Sequence, residues 1–148
     1  MKKLKVCSIF ILLLSCTLLV SCSGTGKLKD GYYKAETSEY DHGWKEFVSV
    51  CVMKGNIVSV EYNAKNTSGF IKSWDIAYMR NMNSINGTYP NEYTRNYARQ
   101  FLESQNAGQV DALSGASSSA GKFKKLTDAV FEQAEKGDTT IAVIDVGE

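Results

Sequence analysis

Glu46-Phe47-Val48-Ser49-Val50-Cys51-Val52-Met53, then Lys54-Gly55-Asn56, then Ile57-Val58-Ser59-Val60-Glu61-Tyr62: this stretch decides the fold. Side chains alternate between the two faces of a strand. Val48, Val50 and Val52 therefore share one face, and Phe47, Ser49, Cys51 and Met53 the other. After the interruption, Val58, Val60 and Tyr62 oppose Ile57, Ser59 and Glu61. Two alternating β-branched runs joined by a short Gly-containing turn predict a β-hairpin.

Upstream, Asp30-Gly31 opens a run of strand composition, Tyr32 to Thr37, followed by a turn-prone stretch from Ser38 to Gly43. Downstream the period changes to that of a helix. Ser73 to Asn83 places Trp74, Ala77 and Tyr78 at helical spacing, and Asn86 to Pro90 reads as a loop. Asn91 to Ser104 is a stronger helix, with Tyr93, Tyr97, Ala98, Phe101 and Leu102 on one stripe. Asn106-Ala107-Gly108 stops it. A third helix is predicted over Ser118 to Glu135, through Phe123, Leu126, Val130, Phe131 and Ala134, and Thr139 to Val146 reads as a closing strand. The expected architecture is α+β: an antiparallel sheet, built from the N-terminal hairpin and a C-terminal strand, packed with about three helices.

The N-terminus predicts the compartment. Lys2, Lys3 and Lys5 precede an apolar run from Val6 to Val20, which suits the core of a signal peptide and is shorter than the roughly 20 residues of a spanning helix. Leu19-Val20-Ser21-Cys22 resembles the bacterial lipobox, which implies that residues 1–21 are removed and that Cys22 carries lipid. An ordinary secretory signal or a short membrane anchor is the alternative. Residues 22–29 then form a lipid-anchored linker whose small polar stretch Ser23 to Lys27 reads as a tether, and residues 30–148 the domain. About 127 residues follow the cleavage point, enough for one core. Cys51 is the one thiol left after Cys7, Cys16 and Cys22, so no internal disulfide is available. The formal charge of +1 includes three signal lysines, which leaves the mature chain near −2. No basic stripe argues for nucleic acid, and the single His42 excludes a His-rich metal site.

Between the second and third helices lies Asp111-Ala112-Leu113-Ser114-Gly115-Ala116-Ser117-Ser118-Ser119. The first turn of a helix leaves backbone N–H groups unpaired and partly positive, so small residues there suit a phosphate. Helix capping by a serine explains the same composition without a ligand. A P-loop does not: five residues separate Gly115 from Gly121-Lys122, and Phe123 stands where a Ser or Thr is required.

Asp111-Ala112-Leu113-Ser114-Gly115-Ala116-Ser117 matches Asp, any two, Ser/Thr, Gly, Ala, Ser/Thr. It resembles the flavinylation motif of the FMN-binding domain family found in the NqrC and RnfG subunits of ion-pumping redox complexes and in many small lipoproteins. The resemblance extends over about residues 30 to 146, through Asp30-Gly31-Tyr32-Tyr33, Lys54-Gly55-Asn56-Ile57 and the helix from Ser118. It implies that Ser117 is esterified to the phosphate of FMN by an FAD-dependent, magnesium-requiring FMN transferase. It also implies that Ser114, Gly115 and Ala116 wrap the phosphate, and that Asp111 bonds loop N–H groups or assists the transferase's metal. Ser117 stands where the respiratory subunits most often have Thr. Ser118 and Ser119 are adjacent alternatives, and a noncovalent FMN site is another. A flavin ring needs a flat apolar surface, for which Trp44, Trp74 and Tyr78 are candidates; each also suits the core. Lys65 is a candidate for the electron-rich end of the reduced ring, or a solvated lysine.

The expected function is an electron carrier on the extracytoplasmic face of the cell membrane, held to the bilayer through Cys22. Its partners would be the transferase and a membrane redox donor, quinone-linked or NADH dehydrogenase-like. With no dinucleotide fingerprint, a relay is expected rather than a complete enzyme. The rival expectation is a surface lipoprotein or antigen, or a ligand-binding module, with the same fold and no flavin.

Overall fold

The computed structural model describes residues 28–147. The predicted signal peptide, Cys22 and the tether up to residue 27 lie outside the described residues, as does Glu148. Within them the strands are β1 (Gly31–Thr37), β2 (Lys45–Met53), β3 (Asn56–Lys65) and β4 (Ala142–Ile144), in the order β3-β2-β1-β4. The helices are α1 (Ile76–Asn86), α2 (Pro90–Ser104) and α3 (Ser117–Lys136). This is the expected α+β class.

The hairpin forms for the reason its sequence suggests. Lys54 and Gly55 both hold positive φ, 53° and 77°, the backbone of a two-residue turn that matches strand twist. The Asp30 carboxylate accepts the Gly55 N–H at 3.0 Å and ties the turn to the start of β1. One detail departs from simple alternation. The register shifts between Cys51 and Val52, so Val52 faces Ile57, Cys51 faces Ser59, and Val58 is left over. This β-bulge turns Ile57 inward and Val58 out, at 4% and 46% exposed. The predicted face of β3 is thus correct at Tyr62 and reversed at the turn.

α2 packs on β3, and α3 on β1 and β2, so both helices cover one face of the sheet. Between the layers lie Tyr33, Val48, Val50, Ile57 and Tyr62 from the strands, Tyr97 and Phe101 from α2, and Phe123, Leu126 and Val130 from α3. The Phe123 ring sits 4.8 Å from Tyr62, 5.9 Å from Tyr97 and 5.8 Å from Phe101, tying the layers together. Leu102, predicted on the α2 stripe, is instead 36% exposed.

The other sheet face is polar. The Glu36 carboxylate meets Lys65 at 2.8 Å, Lys45 at 3.3 Å and Lys34 at 3.4 Å. Partial burial pushes this carboxyl up, but Lys65 and Lys45 outweigh it and bring it down to about 2.

Three further expectations are corrected. The first predicted helix becomes a 3-10 turn, Lys72–Trp74, and then α1, because the Asp75 side chain caps α1 by accepting the Tyr78 N–H at 2.9 Å. No residue of α1 is buried, and Trp74 is 65% exposed, so the predicted apolar stripe does not face the core. The closing strand shrinks to three residues and runs parallel to β1, which makes the sheet mixed. The reason is the path of α3, whose end lies at the start of β1: Lys29 N–H donates to Ala134 C=O at 2.9 Å. The Asp138 side chain holds a turn over Thr140 that delays the strand. Lys29, the last residue of the predicted linker, makes this bond to Ala134 at the end of α3.

The bulge makes a sharp contrast testable by urea denaturation. Ile57→Ala is expected to cost about 2–4 kcal/mol, as for a buried aliphatic residue, whereas Val58→Ala is expected to cost less than about 1 kcal/mol.

Candidate functional site

The serine-bearing turn is built by α2. Gln100 grips its entrance, accepting the Asp111 N–H through Oε1 at 2.8 Å and donating to the Asp111 C=O through Nε2 at 3.3 Å. The fully buried Tyr97 then holds its centre. Its hydroxyl accepts the Leu113 N–H at 3.0 Å and donates to the Ala116 C=O at 3.0 Å. Between these anchors Gly115 has φ +80°, and a Cβ there would come within 2.2 Å of the Asn86 carbonyl oxygen at the end of α1. Both backbone conformation and space demand glycine.

α3 begins without a side-chain cap. Its N-cap is Ala116, whose C=O accepts the Ala120 N–H at 3.1 Å. Serine capping, one reading of the sequence, is therefore not what the serines do. Ser117 is the first helical residue and exposed, as is Ser118, and neither hydroxyl takes part in a hydrogen bond. The first-turn N–H groups have no intrahelical partners and carry the positive end of the helix dipole.

A cavity of about 360 Å³ opens beside this turn. Gly115, Ala116, Ser117, Ser118 and Ser119 form one side; Tyr78, Met82 and Tyr93 supply apolar surface; Asp41, His42, Glu46, Lys72 and Lys122 supply charge. A larger cavity, about 790 Å³, lies at the other end of the domain around Leu28, Lys54, Gln105 and Glu135, and contains none of the predicted site residues. Chemistry, not size, identifies the smaller one.

Lys122 organises its charge. Its ammonium meets Asp41 at 2.5 Å and approaches Glu46 at 3.6 Å. Burial alone would push Lys122 down, but these carboxylates outweigh it and raise it. The Lys122 hydrogen bond is the main reason that Asp41 is lowered. Glu46 is only 6% exposed and accepts a short hydrogen bond from the Tyr62 hydroxyl. Burial raises this carboxyl despite the pull of Tyr62, Lys122 and Lys72. The Tyr62 hydroxyl also lies 3.0 Å from the Ser119 C=O, which fastens the buried carboxyl to the first turn of α3.

The structure brings Gly115, Ala116, Ser117 and Tyr78 into one wall. Ser114 and Asp111 belong to the same turn, yet both are exposed and outside that wall. Trp44 is buried behind Tyr78, with rings edge-on at 5.9 Å, and Lys72 lies 4.7 Å above Tyr78 and 5.9 Å above Trp44. It supports the wall without lining it. Trp74 packs edge-on against Phe70 outside the cavity, and Lys65 is held by Glu36 on the open sheet face, so neither reaches the site. Sequence reading missed Glu46, Lys122 and Tyr93 as site residues. The clearest available signal was parity: Glu46 shares the face of Val48, Val50 and Val52, which places a carboxylate on the inward side of the sheet.

No protein-family model matches the chain. It is 34% identical over 122 residues to the 15 kDa lipoprotein of Treponema pallidum, which covers 82% of this chain and 86% of that protein. The chain belongs to this lipoprotein family. It is thus a small bacterial lipoprotein, and the relationship supports attachment to a membrane. A crystal structure of a Clostridium perfringens protein shares the fold of this lipoprotein with TM-score 0.76 and 36% identity, over 80% of this chain and 98% of that one. A solution structure from Clostridium thermocellum matches it with TM-score 0.51 and 28% identity, over 73% and 93%.

Three substitutions test the clamp by denaturation. Gly115→Ala is expected to cost more than about 2 kcal/mol, from the positive φ together with the clash. Tyr97→Phe is expected to cost about 1–3 kcal/mol, because it strands a donor and an acceptor. Gly121→Ala, with no heavy atom within 4 Å of its added Cβ, is expected to stabilise α3 by about 0.5–1 kcal/mol.

Proposed function

We propose that this lipoprotein is anchored through Cys22 on the extracytoplasmic face of the membrane and carries FMN esterified to Ser117. The observation behind this reading is the combination at the start of α3: an exposed serine hydroxyl with no hydrogen bond, on a helix turn without a side-chain cap, beside a cavity with aromatic walls. The residues present fit the phosphate end of FMN. Gly115 and Ala116 add almost no side-chain bulk, and the first-turn N–H groups favour an anion. Tyr78, Tyr93 and Met82 would pack against the ring system. Bound there, FMN would supply one- and two-electron transfer.

The chain's own residues have the remaining tasks. Tyr97 and Gln100 hold the turn at a fixed height, so that Ser117 projects into water. A serine hydroxyl is a poor nucleophile unaided, so attachment needs an external catalyst, the FAD-dependent FMN transferase, and an accessible acceptor suits one. The start of the described chain agrees. Lys29 is bonded to Ala134 and Lys136 at the end of α3. Ser117 lies at the start of that helix, about 25 Å away at 1.5 Å per residue. A membrane redox donor would thus meet the site through its water-exposed part.

A second reading has support from the comparisons. The relative's name says lipoprotein and nothing beyond it, and no family model matches. The lipoprotein relationship backs a surface lipoprotein or antigen, or a ligand-binding module, with the same fold and no flavin better than it backs a flavoprotein. In-gel fluorescence after denaturing electrophoresis separates the two readings, on protein exported from cells that contain the transferase. The flavin reading expects a fluorescent band that Ser117→Ala abolishes. A dark wild-type band with a colourless native protein contradicts it and leaves the second reading.

A further inference from the structure

Attachment of FMN at Ser117 makes no use of Glu46. This side chain is more than nine-tenths buried, yet it contributes to the cavity wall beside Ser117. Its Oε2 is taken by the Tyr62 hydroxyl. Its Oε1 has the Lys122 ammonium 3.6 Å away, longer than a direct hydrogen bond, and Lys122 sits closer to Asp41, at 2.5 Å. A buried carboxylate is costly unless its acceptor capacity is used. Oε1 therefore retains acceptor capacity in the wall of a cavity.

Its neighbours narrow down the ligand. Lys122 and Lys72 line the same wall, and Lys72 is steadied over the Tyr78 face at 4.7 Å. Together the wall offers one carboxylate acceptor and two ammonium donors. The complementary molecular edge is acceptor, donor, acceptor: two carbonyls flanking an N–H, which is an imide. The pyrimidine end of a flavin carries one, as does uracil. We infer that Glu46, with Lys72 and Lys122 lining the same cavity, recognises the imide edge of a planar heterocycle held against Tyr78 and Tyr93. This rests on the flavin reading and assigns the end of the cofactor remote from the phosphate. No bond is made or broken: the ligand N–H donates to Glu46, and the lysines donate to the ligand carbonyls.

The test uses the mature full-length protein, made without transferase, and two ring probes. Riboflavin presents the imide N–H; 3-methylriboflavin blocks it. Binding is read from quenching of flavin fluorescence. Wild type is expected to prefer riboflavin by about tenfold or more, the range of a hydrogen bond to a charged group. Glu46→Gln is expected to lose that preference, with circular dichroism confirming its fold, and Lys72→Met to weaken riboflavin while keeping the order of the two probes. Equal binding of both probes to wild type overturns the inference, as does a Glu46→Gln protein that discriminates like wild type. The in-gel band of the exported protein distinguishes the two failures. A fluorescent band without probe discrimination sinks the imide assignment alone; no band and no probe binding sinks it together with the flavin reading.

Discussion

One buried hydroxyl decides how the serine turn is presented. Tyr97 reaches from α2 into the loop before α3, accepting from Leu113 N–H and donating to Ala116 C=O, each at 3.0 Å. A loop of this composition would otherwise sample many backbone states, at an ordering cost of about 1–2 kcal/mol per residue. The Tyr97 ring is in turn held in the aromatic layer, 6.3 Å from Tyr62 and 5.9 Å from Phe123. The turn is therefore coupled to the core through Tyr97, while Gln100 holds its entrance and Ala116 packs into the core itself. Gly115 completes the arrangement, because its approach to Asn86 leaves no room for a side chain.

The same aromatic layer reaches the charged part of the cavity. Tyr62 stacks within the core by its ring, and its hydroxyl donates to Glu46 while lying 3.0 Å from the Ser119 C=O. Sheet, α3 and cavity wall are thus joined by one tyrosine, as α2 and the turn are joined by another. The asymmetry of the surrounding charge is informative. Glu36, on the open face among three lysines, is held low, whereas Glu46 is raised by burial despite two nearby lysines. A stabilising ion cluster accounts for the first. The second has the arrangement of a binding group, since its pairing with Lys122 is shared with Asp41.

Much of this was legible in the sequence, for identifiable reasons. The hairpin was readable because two valine-rich runs and a Lys-Gly turn agree locally, and α2 and α3 because their apolar residues recur at helical spacing. The motif residues drew attention to the turn that borders the smaller cavity. The bulge at Val58 was not readable, because a period-two pattern carries no mark of an inserted residue. The direction of β4 depends on where α3 ends in space, which local pattern does not encode. Within the site, Ser117 and Tyr78 were recognisable by type and position. Glu46 and Lys122 become site residues only when β2 and α3 are packed together, since 76 positions separate them in the chain. Trp44 and Trp74 illustrate the converse: aromatic character alone does not say which ring meets a ligand and which supports a neighbour.

The described start of the chain and the serine turn lie at opposite ends of α3. Lys29 is bonded beside its last turns, and the turn stands at its first residue. The account therefore depends on that first turn being both rigid and open. Amide hydrogen exchange, followed residue by residue by NMR on the unmodified domain, measures both properties at once. The account predicts a Leu113 amide protected like the core strands, while the Ser117, Ser118 and Ser119 amides exchange rapidly. Fast exchange at Leu113, or protection at the three serines, would contradict it.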